Sequence, residues 1–445
     1  AGWSALCRII SKAHQKKKNE SASIDRKDLA ELAQQEIANC TVLIGPDSDV
    51  GRASLFDPSK ASFLLDGWLE HFNTRGSLAI EVFSHLTEPG DSYSTEHARA
   101  LISLADYKKL PAVLTNAARY LEPDDALTAD VLDSARHLEP LGIFLPQPNA
   151  QAWLKPPTEM ASLALEITGD TKTAKKLLAT TEQLTDRCRI SPVEDCDWGR
   201  PKTPEKQLLG IEGNPFEVLC QKTHSAIDAR YPGAKPSLVT EVQHQLSKEL
   251  ITINKLGFST FFLTVADVAQ MIRDMRIRIA ARGSGAGSLV NYLLGISHID
   301  PIEQGLLFER FLSTERSTLP DIDIDVESSR RHEIYRAIFR RYGGDRVTLL
   351  SMQSTYRGRG AIRDSGLALG LDEDQIDQIA KSSWRFSARS FRAALEVKPE
   401  LAKLANQVGK NRKLNLLVDL TQRLDRLPRH ISMHPCGVIL GDNRL

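Results

Sequence analysis

Nine consecutive residues, Leu319-Pro320-Asp321-Ile322-Asp323-Ile324-Asp325-Val326-Glu327, alternate acids with β-branched side chains. In an extended strand successive side chains point to opposite faces, so Asp321, Asp323 and Asp325 share one face and Ile322, Ile324 and Val326 the other, buried one. Side chains two apart on a strand stand roughly 6.5 to 7 Å from each other, close enough for neighbouring carboxylates to bind two divalent cations about 3.5 to 4 Å apart. That arrangement suits two-metal phosphoryl transfer. Three like charges on one face repel, so the pattern calls for cations or basic neighbours, and an exposed strand that happens to be acidic is the plain alternative. Upstream, Arg282-Gly283-Ser284-Gly285-Ala286-Gly287-Ser288 is a small-residue loop whose backbone amides can approach a triphosphate without side-chain obstruction. It has neither the Lys of a P-loop nor the last Gly or Ala of the dinucleotide fingerprint, and by itself it reads more readily as a structural turn.

Basic residues gather C-terminal to this acidic run. From Ser328 to Asp364 there are nine arginines against Glu333, Asp345 and Asp364, and from Lys381 to Lys413 nine Lys or Arg against Glu396 and Glu400. Such stretches attract phosphates irrespective of sequence, although either alone could be a solvated helical surface. Arg385, Arg389 and Arg392 fall at i, i+4 and i+7, which on a helix makes one basic stripe. His430 and His434 have the spacing of a metal pair on a helix, but Pro435 and Gly437 point to a turn entering a strand. The six cysteines are scattered without a CxxC pair and read as reduced and mostly structural.

The elements that must position these groups can be read more coarsely. With 445 residues the chain has room for two or three domains, and its formal net charge of zero hides the uneven distribution just described. No apolar run reaches the roughly 18 residues that span a bilayer, and the first residues lack the basic-then-apolar pattern of a signal peptide, so a cytoplasmic protein with no membrane partner is expected. Up to about residue 190, apolar runs at Thr41–Ile44 and Leu78–Val82 alternate with amphipathic stretches such as Thr95–Tyr107, which predicts an α/β domain. Ile190–Pro204 is rich in Pro, Asp and Gly and reads as a linker. Pro236–Met275 is helical in pattern for most of its length, and Glu373–Leu427 is helical and basic without a convincing strand.

Several motifs then occur in one order: Gly257-Phe258-Ser259 with Phe261–Val268, RGSGAGSLVNY at 282–292, Asp300-Pro301, Leu307–Leu312, and Pro320–Asp325. In order and spacing they resemble the palm of bacterial C-family DNA polymerases, the group that includes the polymerase III alpha subunit. The likeness continues through Ala361-Ile362-Arg363-Asp364 and Arg429-His430 to Gly437-Val438-Ile439. Gly2-Trp3 with Leu6-Cys7, and Leu114-Thr115-Asn116 with Tyr120, resemble the polymerase-and-histidinol-phosphatase (PHP) domain. The wording FLSTERSTLPDIDIDVESSRR at 311–331 resembles the error-prone translesion branch, since aromatic residues commonly separate the aspartates in the replicative one.

The resemblance implies an α/β multidomain protein: a partial PHP domain of distorted α/β-barrel type with its linker at 1–204, a nucleotidyltransferase-type palm at 205–352, a helical thumb at 353–428, and a truncated return to the palm at 429–445. It implies template-directed DNA synthesis, with Asp321 and Asp323 as catalytic metal-binding carboxylates for two Mg²⁺ ions and Asp325 as a neighbouring acid. Gly283, Ser284, Arg310 and Arg316 match nucleotide-binding positions, while Arg363, Arg385, Arg389 and Arg392 match basic, DNA-gripping segments. Primer-template DNA, deoxynucleoside triphosphates, a sliding clamp and accessory mutagenesis proteins are the implied partners. A third catalytic aspartate of the family lies beyond Leu445, so the 445 residues alone are expected not to polymerise. In the PHP part Glu81 and His85 are the only candidate metal ligands, and no working metal site is expected there. Two other classes stay open: a non-catalytic DNA-binding or scaffold protein that kept the fold, and a PHP-type metal phosphoesterase.

Overall fold

The computed structural model describes residues 2–15, 22–34, 40–74, 76–143, 147–196, 198–199, 201–315, 319–382 and 387–442. It is a mixed α/β structure that divides into two compact units, Ala1–Ser191 with Thr355–Arg429, and Pro192–Ser354 with His430–Leu445. Among the described residues no helix is long and apolar enough to cross a membrane.

The first unit is built on three parallel strands, β1 (Val42–Ile44), β2 (Leu78–Val82) and β3 (Ala112–Leu114), in the order β1-β2-β3. Registers Ile44↔Ile80 and Val82↔Leu114 bring their C-terminal ends together. The sequence dictates this locally. Leu78, Ala79, Ile80 and Val82 are all buried, the near-continuous apolar run of a strand covered on both faces. Parallel neighbours need long crossovers, here supplied by helices such as α1 (Asp49–Phe56) and α2 (Thr95–Lys108). Each helix begins on a serine, Ser48 accepting from Gly51 N at 2.9 Å and Ser94 from His97 N at 3.2 Å. Further along, α3 (Ala126–His137) presents Val131 to Tyr356, Ala361 and Leu420 of the helical segment 355–429, and Leu141 N donates to Ala368 O at 2.8 Å. That segment has its own core of Ile362, Phe391, Leu417 and Val418.

The second unit starts from two helices, α4 (Pro236–Leu256) and α5 (Ser259–Asp274), where the sequence pattern suggested nearly continuous helix. Gly257 separates them: at φ +73° it ends α4 in a left-handed conformation that glycine adopts without penalty. Strand β4 (Ile279–Arg282) pairs antiparallel with β5 (Asp323–Val326), and between them lie a tight 3₁₀ turn at Gly283–Gly287 and the short helix α6 (Leu289–Leu293). A second pair, β6 (Val347–Thr355) and β7 (Pro428–Leu440), follows the helix α7 (Arg331–Tyr342). Phe262, Leu289, Val290, Phe308 and Phe311 form the core beneath the glycine loop.

Three expectations need correction. His430 and His434 lie within one uninterrupted strand, β7, rather than a turn leading into one, and His434 Nδ1 instead accepts from Cys436 N at 3.2 Å. Of the arginine stripe Arg385 lies outside the described residues, and the other two do not share one regular α-helix. Ser387 is extended (φ −74°, ψ 154°), Arg389 sits in the 3₁₀ turn Ala388–Ser390, and Arg392 in the helix that follows it directly, Phe391–Val397. All six cysteines are free thiols, but Cys7, Cys188, Cys196 and Cys436 are exposed and so contribute little to any core.

Candidate nucleotide-binding site

β5 carries the acidic run, and its register explains where each acid stands. Arg282 pairs with Asp323 and Ala280 with Asp325, and after Arg282 the partner strand turns away into the loop. Asp321 therefore lies just outside the ladder. Asp321, Asp323 and Asp325 are all exposed, while Ile322, Ile324 and Val326 are half-buried against the hydrophobic clusters below. Alternation thus separates an acidic outer face from an apolar inner one. Asp325 forms an ion pair with Arg282, Oδ1 to Nε at 3.2 Å. The carboxylates of Asp321 and Asp323 meet no cation or hydrogen-bond donor among the described residues.

The loop lies directly beside Asp323. Gly283 has φ +72°, and a Cβ there would stand 3.3 Å from Asp323 Oδ2, so both backbone conformation and space favour glycine. Gly283 and Ser284 are exposed, whereas Gly285, Ala286 and Gly287 are buried. Only the first half of the loop is open to a ligand. The buried half is held from inside: Asn291 Nδ2 donates to Gly285 O at 2.9 Å, and Ser288 Oγ caps α6 by accepting from Asn291 N at 3.2 Å.

Arg310 is exposed at the end of the turn Phe308–Arg310. That turn follows Leu307, whose carbonyl oxygen would lie 3.1 Å from a Cβ on Gly287, so it is packed against the end of the loop. Glu309 beside it is taken up by Lys248. Arg316 and Arg385 lie outside the described residues. In the other unit Arg363 is paired with Asp377, Arg392 Nη2 with Asp419 Oδ1 at 2.5 Å and Asn415 Oδ1 at 3.0 Å, and Arg389 is exposed with no ion-pair partner among the described residues.

One participant escaped the sequence reading. Glu249 on α4 has no solvent exposure and accepts four hydrogen bonds: Leu289 N at 2.9 Å and Gln245 Nε2 at 3.0 Å on Oε1, Ser288 Oγ at 2.9 Å and Val290 N at 3.1 Å on Oε2. Burial pushes its carboxyl above the ordinary value, and the four donors oppose that rise. The available signal was an acid within the core stripe of α4, where Val242, Leu246, Leu250 and Ile253 repeat at helical spacing.

As donors, two exposed carboxylates suit a hard divalent cation such as Mg²⁺. Among the described residues no three His, Cys, Asp or Glu side chains converge as a metal cluster.

Residues 217–445 match the bacterial DNA polymerase III alpha NTPase domain. Along its whole length the chain is 32% identical to an error-prone DNA polymerase of Pseudomonas paraeruginosa and 31% identical to one of Pseudomonas aeruginosa, in each case covering 39% of the relative. It is 35% identical to error-prone DNA polymerase 2 of Rhizobium meliloti over 78% of this chain and 30% of that protein. The chain thus spans about two fifths or less of the length of these relatives. The order of glycine loop and acidic strand within the matched region has its explanation in descent, and the chain belongs to the bacterial DNA polymerase III alpha family.

Proposed function

We propose that this chain carries part of the catalytic centre of a DNA polymerase that copies damaged templates with low fidelity. The observation that carries the reading is the placement of the open loop residue Gly283 against the uncommitted carboxylate of Asp323. Phosphate oxygens need donors, and a nucleotide's metal ions need carboxylates; this corner offers both kinds of group side by side.

In the reaction a primer 3′-hydroxyl attacks the α-phosphorus of a deoxynucleoside triphosphate, a new phosphodiester bond forms, and the bond to pyrophosphate breaks. The backbone at Gly283 and Ser284 would orient the triphosphate, and Arg310 would neutralise its charge. Asp321 and Asp323 would hold Mg²⁺, which supplies charge stabilisation at the phosphates when bound. In the domain terms of the family, the β1–β3 unit is PHP-like, the β4–β5 unit the palm, and the helices after residue 355 the thumb. Arg389, free of ion pairing among the described residues, is the strongest phosphate contact there, since Arg363 and Arg392 must first leave Asp377 and Asp419. A sliding clamp and accessory mutagenesis proteins in the cytoplasm complete the proposed setting.

The test is primer extension by a polypeptide of the relatives' full length that carries this chain. Asp321→Asn or Asp323→Asn should lower nucleotide addition by about 100-fold or more while leaving primer-template affinity within about 2-fold, because duplex grip rests on other residues. Near wild-type extension by Asp323→Asn sinks the assignment, and DNA binding without any Mg²⁺-dependent extension in the parent protein would favour a scaffold.

A further inference from the structure

We propose that Glu249 is the positioning residue of the nucleotide loop, holding the Gly283–Gly287 turn at its working distance from Asp323 through Ser288 and Asn291. The inference rests on the reading of that loop as a nucleotide site.

Glu249 is sealed from solvent and cannot touch a substrate, so any role must pass through its neighbours. Its four donors are unevenly distributed. Gln245 comes from its own helix, but Ser288 Oγ, Leu289 N and Val290 N all belong to the chain as it leaves the loop. The last two are N–H groups at the start of α6, which have no acceptor within the helix. One carboxylate thus satisfies three donors at the loop's exit. From there the connection runs inward: Ser288 Oγ accepts from Asn291 N, and Asn291 Nδ2 donates to Gly285 O in the middle of the loop. Gly285 is in turn close to the chain just before β5, since a Cβ on it would lie 3.9 Å from Asp321 O. α4 therefore grips the loop at one end and, through Asn291, at its centre.

Burying a carboxylate is expensive, and an apolar side chain would fill the same space at less cost if filling were all that mattered. A loop of three glycines, a serine and an alanine has little of its own to fix its path. Attachment from outside is what such a loop needs if its open half is to present a constant geometry.

Steady-state single-nucleotide incorporation, in the full-length protein carrying this chain, separates the possibilities. Glu249→Gln keeps shape but turns an NH₂ group toward donors. It should raise the KM for the incoming nucleotide by about 10-fold or more, with a smaller fall in kcat and primer-template Kd within about 2-fold. Glu249→Asp, which keeps the charge on a shorter stem, should fall between. A purely structural role would reduce the fraction of active molecules without moving the KM of those remaining. Should Glu249→Gln fail to fold, Asn291→Ala decides: it leaves every Glu249 contact in place and should raise KM by about 3- to 10-fold. An unchanged KM in folded Glu249→Gln, or in Asn291→Ala where that variant decides, overturns the inference. Absence of incorporation by the parent protein overturns the reading of the site itself, a separate result.

Discussion

Candidate ligand side chains stand in two places in this molecule, and their neighbours treat them in opposite ways. At the C-terminal ends of β1–β3, Glu81 Oε1 accepts from Thr115 Oγ1 at 2.8 Å, and His85 Nε2 donates to Asn116 O at 2.9 Å. Asp47 Oδ1 accepts from Tyr93 at 2.6 Å, and Asn116 Nδ2 donates to the carbonyls of Gln151 and Trp153 at 2.8 and 2.7 Å. His85 is buried and its ring lies 4.9 Å from Phe83 and 5.7 Å from Tyr93. These contacts commit the polar groups to one another. At the start of β5, by contrast, Asp323 and the preceding Asp321 are exposed and meet no donor among the described residues. Composition alone does not distinguish the two places; uncommitted hydrogen-bonding capacity does. A carboxylate already occupied by a hydroxyl contributes to stability, whereas one left open beside a bare backbone can take a ligand.

The largest effect that would sharpen this contrast is expected at Gly283. Gly283→Ala places a methyl 3.3 Å from Asp323 Oδ2 in a left-handed conformation, so either the carboxylate or the loop must shift. Strain of this kind costs about 1 to 2 kcal/mol, while displacement of a reacting group can lower rate by about 10- to 100-fold. The expected result is a drop in nucleotide incorporation of that order with a melting temperature only a few degrees lower. Wild-type incorporation by Gly283→Ala would separate the loop from the acid strand in function.

How much of this was legible before folding follows from the range of the interactions. Thr41–Ile44, Leu78–Val82 and Thr95–Tyr107 carry their period in consecutive residues, and they become β1, β2 and α2 with little shift. The acid face on β5 is legible for the same reason. The place of Asp321 just beyond the ladder is not, because it depends on where β4 ends. Glu249 is harder still. Its three loop donors are 39, 40 and 41 residues away, and no local period reports them. The arginine stripe shows the reverse error: the spacing is helical, but of its two described members Arg389 lies in a 3₁₀ turn and Arg392 in the helix that begins at Phe391.

His85 gives the middle-sized effect, on stability. Burial lowers its pKa below the ordinary 6.5, outweighing the rise from its bond to the Asn116 carbonyl; Lys155 lowers it further and Asp47 raises it. Between the folded pKa and 6.5 the unfolded chain binds the proton more readily, so His85 contributes stability above about pH 6.5 that is lost as pH falls through its folded value. His85→Phe keeps the aromatic packing but leaves Asn116 O without its donor, costing about 1 to 3 kcal/mol at pH 7.5. Urea midpoints should therefore differ between parent and variant at pH 7.5, and the gap should narrow at pH 5.5. A gap independent of pH would show that His85 does not titrate with folding, and a loss of nucleotide incorporation above about 2-fold in folded His85→Phe would break the division between the two regions.

Asp325 tests the contrast from within the acidic strand, where the smallest effect is expected. It shares the face of Asp321 and Asp323, so alternation alone makes the three equivalent. The structure separates them: Asp325 is paired with Arg282, and Asp323 stands beside Gly283. The Arg282 and Asp325 side chains are 66% and 56% exposed, so water and salt screen most of their attraction. An exposed pair of this type contributes about 0.5 kcal/mol or less, and Asp325→Asn should shift stability by no more than that. Incorporation should stay within about 2-fold of the parent, because Asp325 is two residues further from the loop along β5 than Asp323 and its charge is already answered by a guanidinium. The comparison with Asp323→Asn, measured on the same primer-template at two ionic strengths, is the informative one. If Asp325→Asn abolishes extension to the same degree, the three acids act as one charged surface, and pairing within the strand does not decide which of them does chemistry.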